Sequence, residues 1–278
     1  MGKTALMVMV RRFGQPQLPA LLMLHGFLGS KDDWSILMPQ LSQHFHCICI
    51  DLPGHGGNVD TLDSPGLHQA AELIVNKMHH MGYQQFHLLG YSLGGRIALH
   101  IANDFADSLL SITLESAHPG LQDAKQIAAR AQSDNLWANK LQHLSLTDFL
   151  ALWYQQAVFR DLTEHQKQQL ITLRQINDPL RLANCYLTTS LSLQQDCRNV
   201  LEKLSCPCHF IYGVDDKKFA QVATDWQATL ADVSSSSVNL QLHPLHAAGH
   251  NIHSLHPQLF TDTLLTLLCL DPIATLKE

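Results

Sequence analysis

At 278 residues, with 46% apolar and only 15% charged side chains, the chain carries ample core material and less charge than the ~25% of an average soluble protein, which excludes a disordered segment. Its 18 lysines and arginines against 24 acidic residues give a formal net charge of −6. No basic block stands out, so the balance argues against a nucleic-acid partner.

Met1-Gly2-Lys3-Thr4-Ala5-Leu6 has neither the layout of a secretory leader nor the Ser or Thr that N-myristoylation needs at the sixth position. No apolar run reaches the ~18 residues of a membrane span. The first predicted strand, residues 18–24, runs into His25-Gly26-Phe27-Leu28-Gly29, a loop of small residues able to present backbone N–H groups. A second strand is predicted over 45–51 and a helix over 67–81, where apolar residues recur at helical spacing.

The third strand, 86–90, leads into Gly90-Tyr91-Ser92-Leu93-Gly94-Gly95 and a helix over 96–103. Gly-x-Ser-x-Gly between a strand and a helix forms a tight elbow that projects the serine hydroxyl, and only small neighbours fit such a turn. The helix start behind it adds partial positive charge where an oxyanion would form. Ser92 is therefore the candidate nucleophile or base, and Phe27 and Leu93 are the candidate backbone donors of an oxyanion hole. His25 reads as a structural hydrogen-bonding residue.

After a strand at 110–115, residues 121–200 show helical patterns only, with starts at Ser145-Leu146-Thr147-Asp148 and Thr163-Glu164. Eighty strandless residues inside an alternating chain predict an all-helical cap over the carboxyl ends of the strands. This cap holds eight Lys and Arg against seven Asp and Glu, net +1, and five of the chain's eight arginines. Guanidinium groups match carboxylates, so the cap suits an anionic ligand. Arg96, one helical turn past Ser92, can face the same pocket.

The strand at 208–212 runs into Gly213-Val214-Asp215-Asp216, and a helix follows over 220–230. A serine needs a histidine oriented by a carboxylate. Asp216, three residues past Gly213, is the favoured acid, and Asp215 is the candidate cap of the following helix. Residues 234–237, four serines, read as a loop tip. A last strand at 238–243 precedes Ala247-Ala248-Gly249-His250-Asn251, and a helix covers 257–268. Ser92, Asp216 and His250 thus follow strands in the order such an arrangement requires.

The fold class is α/β: a mostly parallel central sheet with helices on both faces. The core is drawn from 1–120 and 201–278 and the cap from 121–200. Seven cysteines, an odd number lying in apolar runs, read as reduced core thiols and set the chain in the cytoplasm. His243, His246, His250, His253 and His256 recur every three or four residues. They span a strand end, a loop and a helix start without an interleaved carboxylate, so no metal site is assigned.

His25-Gly26-Phe27, Asp51-Leu52-Pro53-Gly54-His55-Gly56-Gly57, Gly90-Tyr91-Ser92-Leu93-Gly94-Gly95-Arg96 and Gly249-His250-Asn251 together resemble the α/β-hydrolase superfamily. His118-Pro119-Gly120-Leu121-Gln122, Trp153-Tyr154-Gln155-Gln156 with Val158-Phe159, and Asp216-Lys217-Lys218-Phe219 resemble one family within it. That family is the 2-succinyl-6-hydroxy-2,4-cyclohexadiene-1-carboxylate synthases of menaquinone biosynthesis, lyases on a hydrolase scaffold. The likeness runs over about residues 18 to 268, and Val214-Asp215 departs from the family's usual Glu-Arg. The resemblance implies pyruvate elimination from an enolpyruvyl cyclohexene carboxylate, without metal or organic cofactor; charge and hydropathy argue against a nucleic-acid or membrane partner, and no required protein partner is inferred. It implies Ser92 as the base, His250 as its proton acceptor and Asp216 as the group that fixes the imidazole. Tyr91, Arg96, Arg130, Trp153, Phe159 and Arg174 are the implied contacts to a small polycarboxylate. A serine esterase or carbon–carbon bond hydrolase working through an acyl-enzyme is the alternative, and an inactive binding module is a third reading. Convergence of Arg96, Arg130 and Arg174 on Ser92 discriminates the first from the second.

Overall fold

The protein is described by a computed structural model over residues 9–231 and 240–269. The chain start, the serine loop tip and residues 238 and 239 of the last predicted strand lie outside the described residues. Among the described residues, seven strands form one sheet in the order β1-β3-β2-β4-β5-β6-β7. They are β1 (Val10–Phe13), β2 (Ala20–Leu24), β3 (His46–Ile50), β4 (Phe86–Tyr91), β5 (Leu109–Glu115), β6 (Cys208–Gly213) and β7 (Leu240–Leu245). β1 pairs antiparallel with β3 and all other neighbours are parallel. β2, β3 and β4 are buried along their whole length, which explains their largely apolar sequences, interrupted only at His46 and His87.

β1 was not among the predicted strands. Its sequence Val-Arg-Arg-Phe has no apolar run, and Arg11 and Arg12 are exposed, as befits an edge that charge keeps from pairing further. β7 lies at the other edge and tolerates Pro244 for the same positional reason.

Helices α1 (Leu67–His80), α2 (Leu93–Asp104) and, beyond the cap, α7 (Lys217–Ala231) cover one sheet face through Ile74, Ile97 and Trp226. On the other face Trp34, Met38, Phe260 and Leu264 pack over Leu21, Met23 and Cys49, Phe260 and Leu264 coming from α9 (Pro257–Cys269) after the short turn α8 (Ile252–Leu255). α2 begins three residues earlier than its periodicity predicts. Gly94 and Gly95 are part of it because a Cβ at Gly94 would lie 2.1 Å from the Leu24 carbonyl oxygen, so the helix can approach the sheet only without side chains there.

Between β5 and β6 the chain is helical: α3 (Ala124–His143), α4 (Leu146–Trp153), α5 (Glu164–Arg174) and α6 (Pro179–Thr188), with 3-10 turns between them. Ser145 accepts the Asp148 N–H, and Thr163 forms a reciprocal capping box with Gln166. Leu141, Phe149, Leu150 and Leu182 give this layer its own apolar cluster, joined to the core at Leu28. Among the described residues no helix is long and apolar enough to cross a membrane. Six cysteines are buried and unpaired. Cys269 is exposed, against the expectation of core thiols throughout, because it falls on the last residue of α9 rather than in a strand.

Candidate functional site

Ser92 joins β4 to α2 with φ 50° and ψ −106°, a sparsely populated backbone region held by its surroundings. Its N–H donates to the Glu115 carbonyl at 2.9 Å, and its carbonyl accepts from Arg96 N at 3.0 Å. β6 ends at Gly213, where a Cβ would stand 2.1 Å from the Ala248 oxygen. The absent side chain lets the acid-bearing loop and the histidine-bearing loop touch.

There the Val214 N–H donates to Leu245 and the Asp215 N–H to Ala248. This pinning turns Asp215 outward, where it is exposed, and Asp216 inward. The Asp216 Oδ2 accepts from His250 Nδ1 at 2.8 Å, and its Oδ1 accepts from Phe219 N at 3.2 Å. One carboxylate therefore meets the imidazole and also takes the N–H of α7's first turn, which corrects the helix-cap role expected of Asp215. Burial pushes the Asp216 carboxyl up, but the His250 bond and charge outweigh it and hold it below the ordinary value. His250 lies between the rings of Tyr91, at 5.4 Å, and Phe219, at 4.9 Å.

Ser92 and His250 open on one cavity of about 400 Å³ under the helical layer, and Phe27, Tyr91, Arg96, Arg130, Trp153, Phe159 and Arg174 all line it. Leu93 lines a smaller hollow of about 110 Å³ that shares Phe27, Ser92, Arg96 and Arg130. His25 lies in the buried interior. Its Nδ1–H donates to the Gly26 carbonyl and its Nε2 accepts from Leu52 N, while burial pushes its pKa down. Both ring nitrogens are committed to the loop, in line with a structural role.

The three arginines are held differently. The Arg96 Nε donates to Gln194 and its Nη2 to the Thr189 carbonyl; neither is a carboxylate, and burial pushes the guanidinium down to about 9. Arg130 gives only Nε to Asp134, whose oxygens also accept from Tyr186 and Ser190, so its two Nη groups are not spent on that carboxylate. Arg174 donates through both Nη groups to Asp33. Burial opposes its charge, but Asp33 and the Tyr154 hydroxyl outweigh that and raise its pKa.

The sequence reading missed Lys218 and His118, which line the same cavity. Lys218 follows Asp216 by two residues, a spacing visible in the sequence. His118 accepts the Gly120 N–H at Nδ1, which places its proton on Nε2, and burial pushes its pKa down to about 3, so it is a neutral donor. Among the described residues, four cations stand against two carboxylates, Asp33 and Asp134, around this cavity. Trp153 is both pocket wall and core, stacked on Phe149 at 5.6 Å.

The five regularly spaced histidines do not share a centre. His250 meets Asp216, His253 meets Glu115 and His243 meets the His209 ring. Among the described residues no group of three or more ligating side chains could hold a metal ion.

The profile of the alpha/beta hydrolase fold family matches residues 19–256. The 2-succinyl-6-hydroxy-2,4-cyclohexadiene-1-carboxylate synthase of Salmonella typhimurium is 36% identical over 258 residues, 92% of this chain and 96% of its own. The synthase of the same name from Klebsiella pneumoniae is 35% identical, over 88% of this chain and 91% of its own. Among solved structures, MenH from S. aureus superposes with a TM-score of 0.84 at 23% identity, covering 94% of this chain and 98% of its own. A thermophilic esterase from Thermogutta terrifontis follows at 0.73 and 19%, covering 94% and 92%; these two likenesses show the fold.

Proposed function

The chain belongs to the alpha/beta hydrolase family and, within it, to the 2-succinyl-6-hydroxy-2,4-cyclohexadiene-1-carboxylate synthases, and on that premise we propose that it eliminates pyruvate from 2-succinyl-5-enolpyruvyl-6-hydroxy-3-cyclohexene-1-carboxylate. The observation that carries this reading is the joint placement of Ser92, His250 and a surplus of cations on one cavity. A lipase-like pocket has no use for Arg96, Arg130 and Lys218, whereas a polycarboxylate needs counter-charges.

In this reading Ser92 takes a ring proton as its own hydroxyl proton passes to His250, and Asp216 holds the imidazole by its Nδ1–H. The electrons of the broken C2–H bond form the C2–C3 double bond, the existing C3–C4 pair shifts to C4–C5, and the C5–O bond to the enolpyruvyl group breaks. The departing enolate takes up a proton and leaves as pyruvate. Backbone N–H groups of Phe27 and Leu93 would steady the negative charge that develops on the substrate carbonyl. Tyr91, Trp153 and Phe159 would wall the ring, with Arg96, Arg130 and Arg174 facing carboxylates. Every group in this sequence belongs to the chain, with no metal, organic cofactor or partner invoked. The buried thiols support a cytoplasmic setting.

The test supplies the enolpyruvyl substrate and follows free pyruvate, with simple p-nitrophenyl esters assayed beside it. Wild-type protein should release pyruvate, and Ser92→Ala should cut turnover by at least roughly several hundredfold without unfolding. Ester cleavage without pyruvate release would move the assignment to the hydrolase alternative.

A further inference from the structure

We propose that Glu115 and His253 form a buried positioning pair that fixes Ser92 and His250 relative to one another, a role that rests on the functional reading above. Glu115 ends β5, beside the elbow, and its carboxylate is 0% exposed; the partner His253 is 2% exposed. Three donors converge on that carboxylate: Ile252 N at 2.7 Å and His253 N at 3.1 Å on Oε1, and His253 Nδ1 at 2.7 Å on Oε2. These donors lie two and three residues past His250, so Glu115 anchors the loop that carries the imidazole.

The same residue holds the elbow. Its carbonyl accepts the Ser92 N–H at 2.9 Å, and it pairs with Tyr91 across β4 and with Ile211 across β6, the strand leading to Asp216. One residue thereby touches the segments of all three candidate catalytic groups. Ser116, immediately after it, is turned to φ 49°, a strained conformation that the surrounding bonds must hold. The His253 ring packs edge-on against Tyr91 at 4.8 Å and, tilted, against Trp34 at 4.4 Å, which holds it in place. Glu115 does not replace Asp216, because its oxygens are spent on His253 and the backbone, and His250 Nδ1 goes to Asp216.

A buried carboxylate with three donors cannot be deleted quietly, since two backbone N–H groups and an imidazole N–H would lose their acceptor. Glu115→Gln keeps an oxygen for the backbone pair, whereas Glu115→Ala keeps none. The experiment compares both with wild type in pyruvate release, in the rate at which phenylmethanesulfonyl fluoride modifies Ser92, and in the low-field proton resonance of His250 Nδ1–H. Rates are normalised to folded protein. Glu115→Ala should lose roughly ten- to a hundredfold in kcat and in sulfonylation, as sub-ångström misplacement does. Its KM should stay within about threefold and its low-field resonance should shift or broaden. Glu115→Gln should recover most of both rates.

Sulfonylation of Glu115→Ala within twofold of wild type, a loss carried by KM, or a Gln variant as poor as the Ala variant would each overturn the proposal. Should Glu115→Ala not fold, His253→Ala decides: a several-fold fall in sulfonylation supports the pair, and a rate within twofold refutes it. Sulfonylation reports on the Ser–His pair whatever the substrate is. A protein that shows this order of rates but releases no pyruvate therefore fails the functional reading alone, and a wild-type Ser92 inert to the reagent overturns both.

Discussion

Asp33→Asn isolates one electrostatic link between the helical layer and the sheet layer. Asp33 lies in the 3-10 helix Lys31–Leu37, and Arg174 ends α5, 141 residues away. Their side chains are 13% and 10% exposed, so the amide variant leaves a guanidinium buried without its counter-charge. Removing one partner of a buried pair costs about 3–5 kcal/mol. At about 2–4 °C per kcal/mol for chains of 150–250 residues, the Tm should fall by roughly 6–20 °C. The pH dependence gives a second, independent mark. Burial pushes the Asp33 carboxyl up, but Arg174 outweighs it and holds the group below its ordinary value. A depressed carboxylate stabilises fully above the unfolded value of about 3.9, and that stability is lost as pH falls through the folded value. Calorimetric melts of the two proteins should therefore stay well apart from pH 8 to pH 5 and converge only at pH below the ordinary carboxylate range. A gap under about 2 °C at neutral pH, or one that does not narrow in acid, would refute the reasoning. The double variant with Arg174→Gln should recover part of the loss, since no unpaired buried charge is then left.

Arg130→Ala removes a charged fork worth about 1.5–3 kcal/mol against a carboxylate and should raise KM for the polycarboxylate roughly ten- to a hundredfold. Lys218→Gln should raise it by a smaller factor, and p-nitrophenyl acetate turnover by either variant should stay within about threefold of wild type; parallel losses on both substrates would count against carboxylate recognition. Gly94→Ala puts a methyl group 2.1 Å from the Leu24 oxygen, so strand or elbow must move. Overpacking of about 1–3 kcal/mol should appear in a thermal melt together with slower Ser92 chemistry, and an unchanged melt and rate would show that the close approach is not needed.

How far the fold could be read ahead follows from where each element sits. Interior parallel strands bury both faces, so β2, β3 and β4 are written as apolar runs that need no periodicity to find. β1 lies at an edge with only Val10 and Phe13 partly buried, and the arginines between them hide it. The start of α2 is obscured for the opposite reason: Gly94 and Gly95 look like helix breakers, yet the tight packing against Leu24 demands them. β7 ends about two residues later than its pattern suggests, because Pro244 near its end mimics a terminator while its N–H is not required at an edge.

At the site, chain order alone could place Ser92, Asp216 and His250 at strand ends, because a strand's carboxyl end is a position that sequence records. It could not record which of two adjacent aspartates turns inward; that is decided by Leu245 and Ala248 accepting the Val214 and Asp215 N–H groups, bonds between segments some 30 residues apart. The counter-ions divide in the same way. Asp134 stands one helical turn from Arg130 and was open to an i,i+4 reading, whereas Asp33 meets Arg174 only because the helical layer folds back over the sheet. Glu115 shows the limit most plainly. Within its strand it is one more residue at the end of an apolar run, and its three donors come from a segment 137 and 138 residues later. The residues that would do chemistry carry local signatures because chemistry demands particular turns, while those that hold them in register are defined by tertiary contacts and stay silent in the sequence.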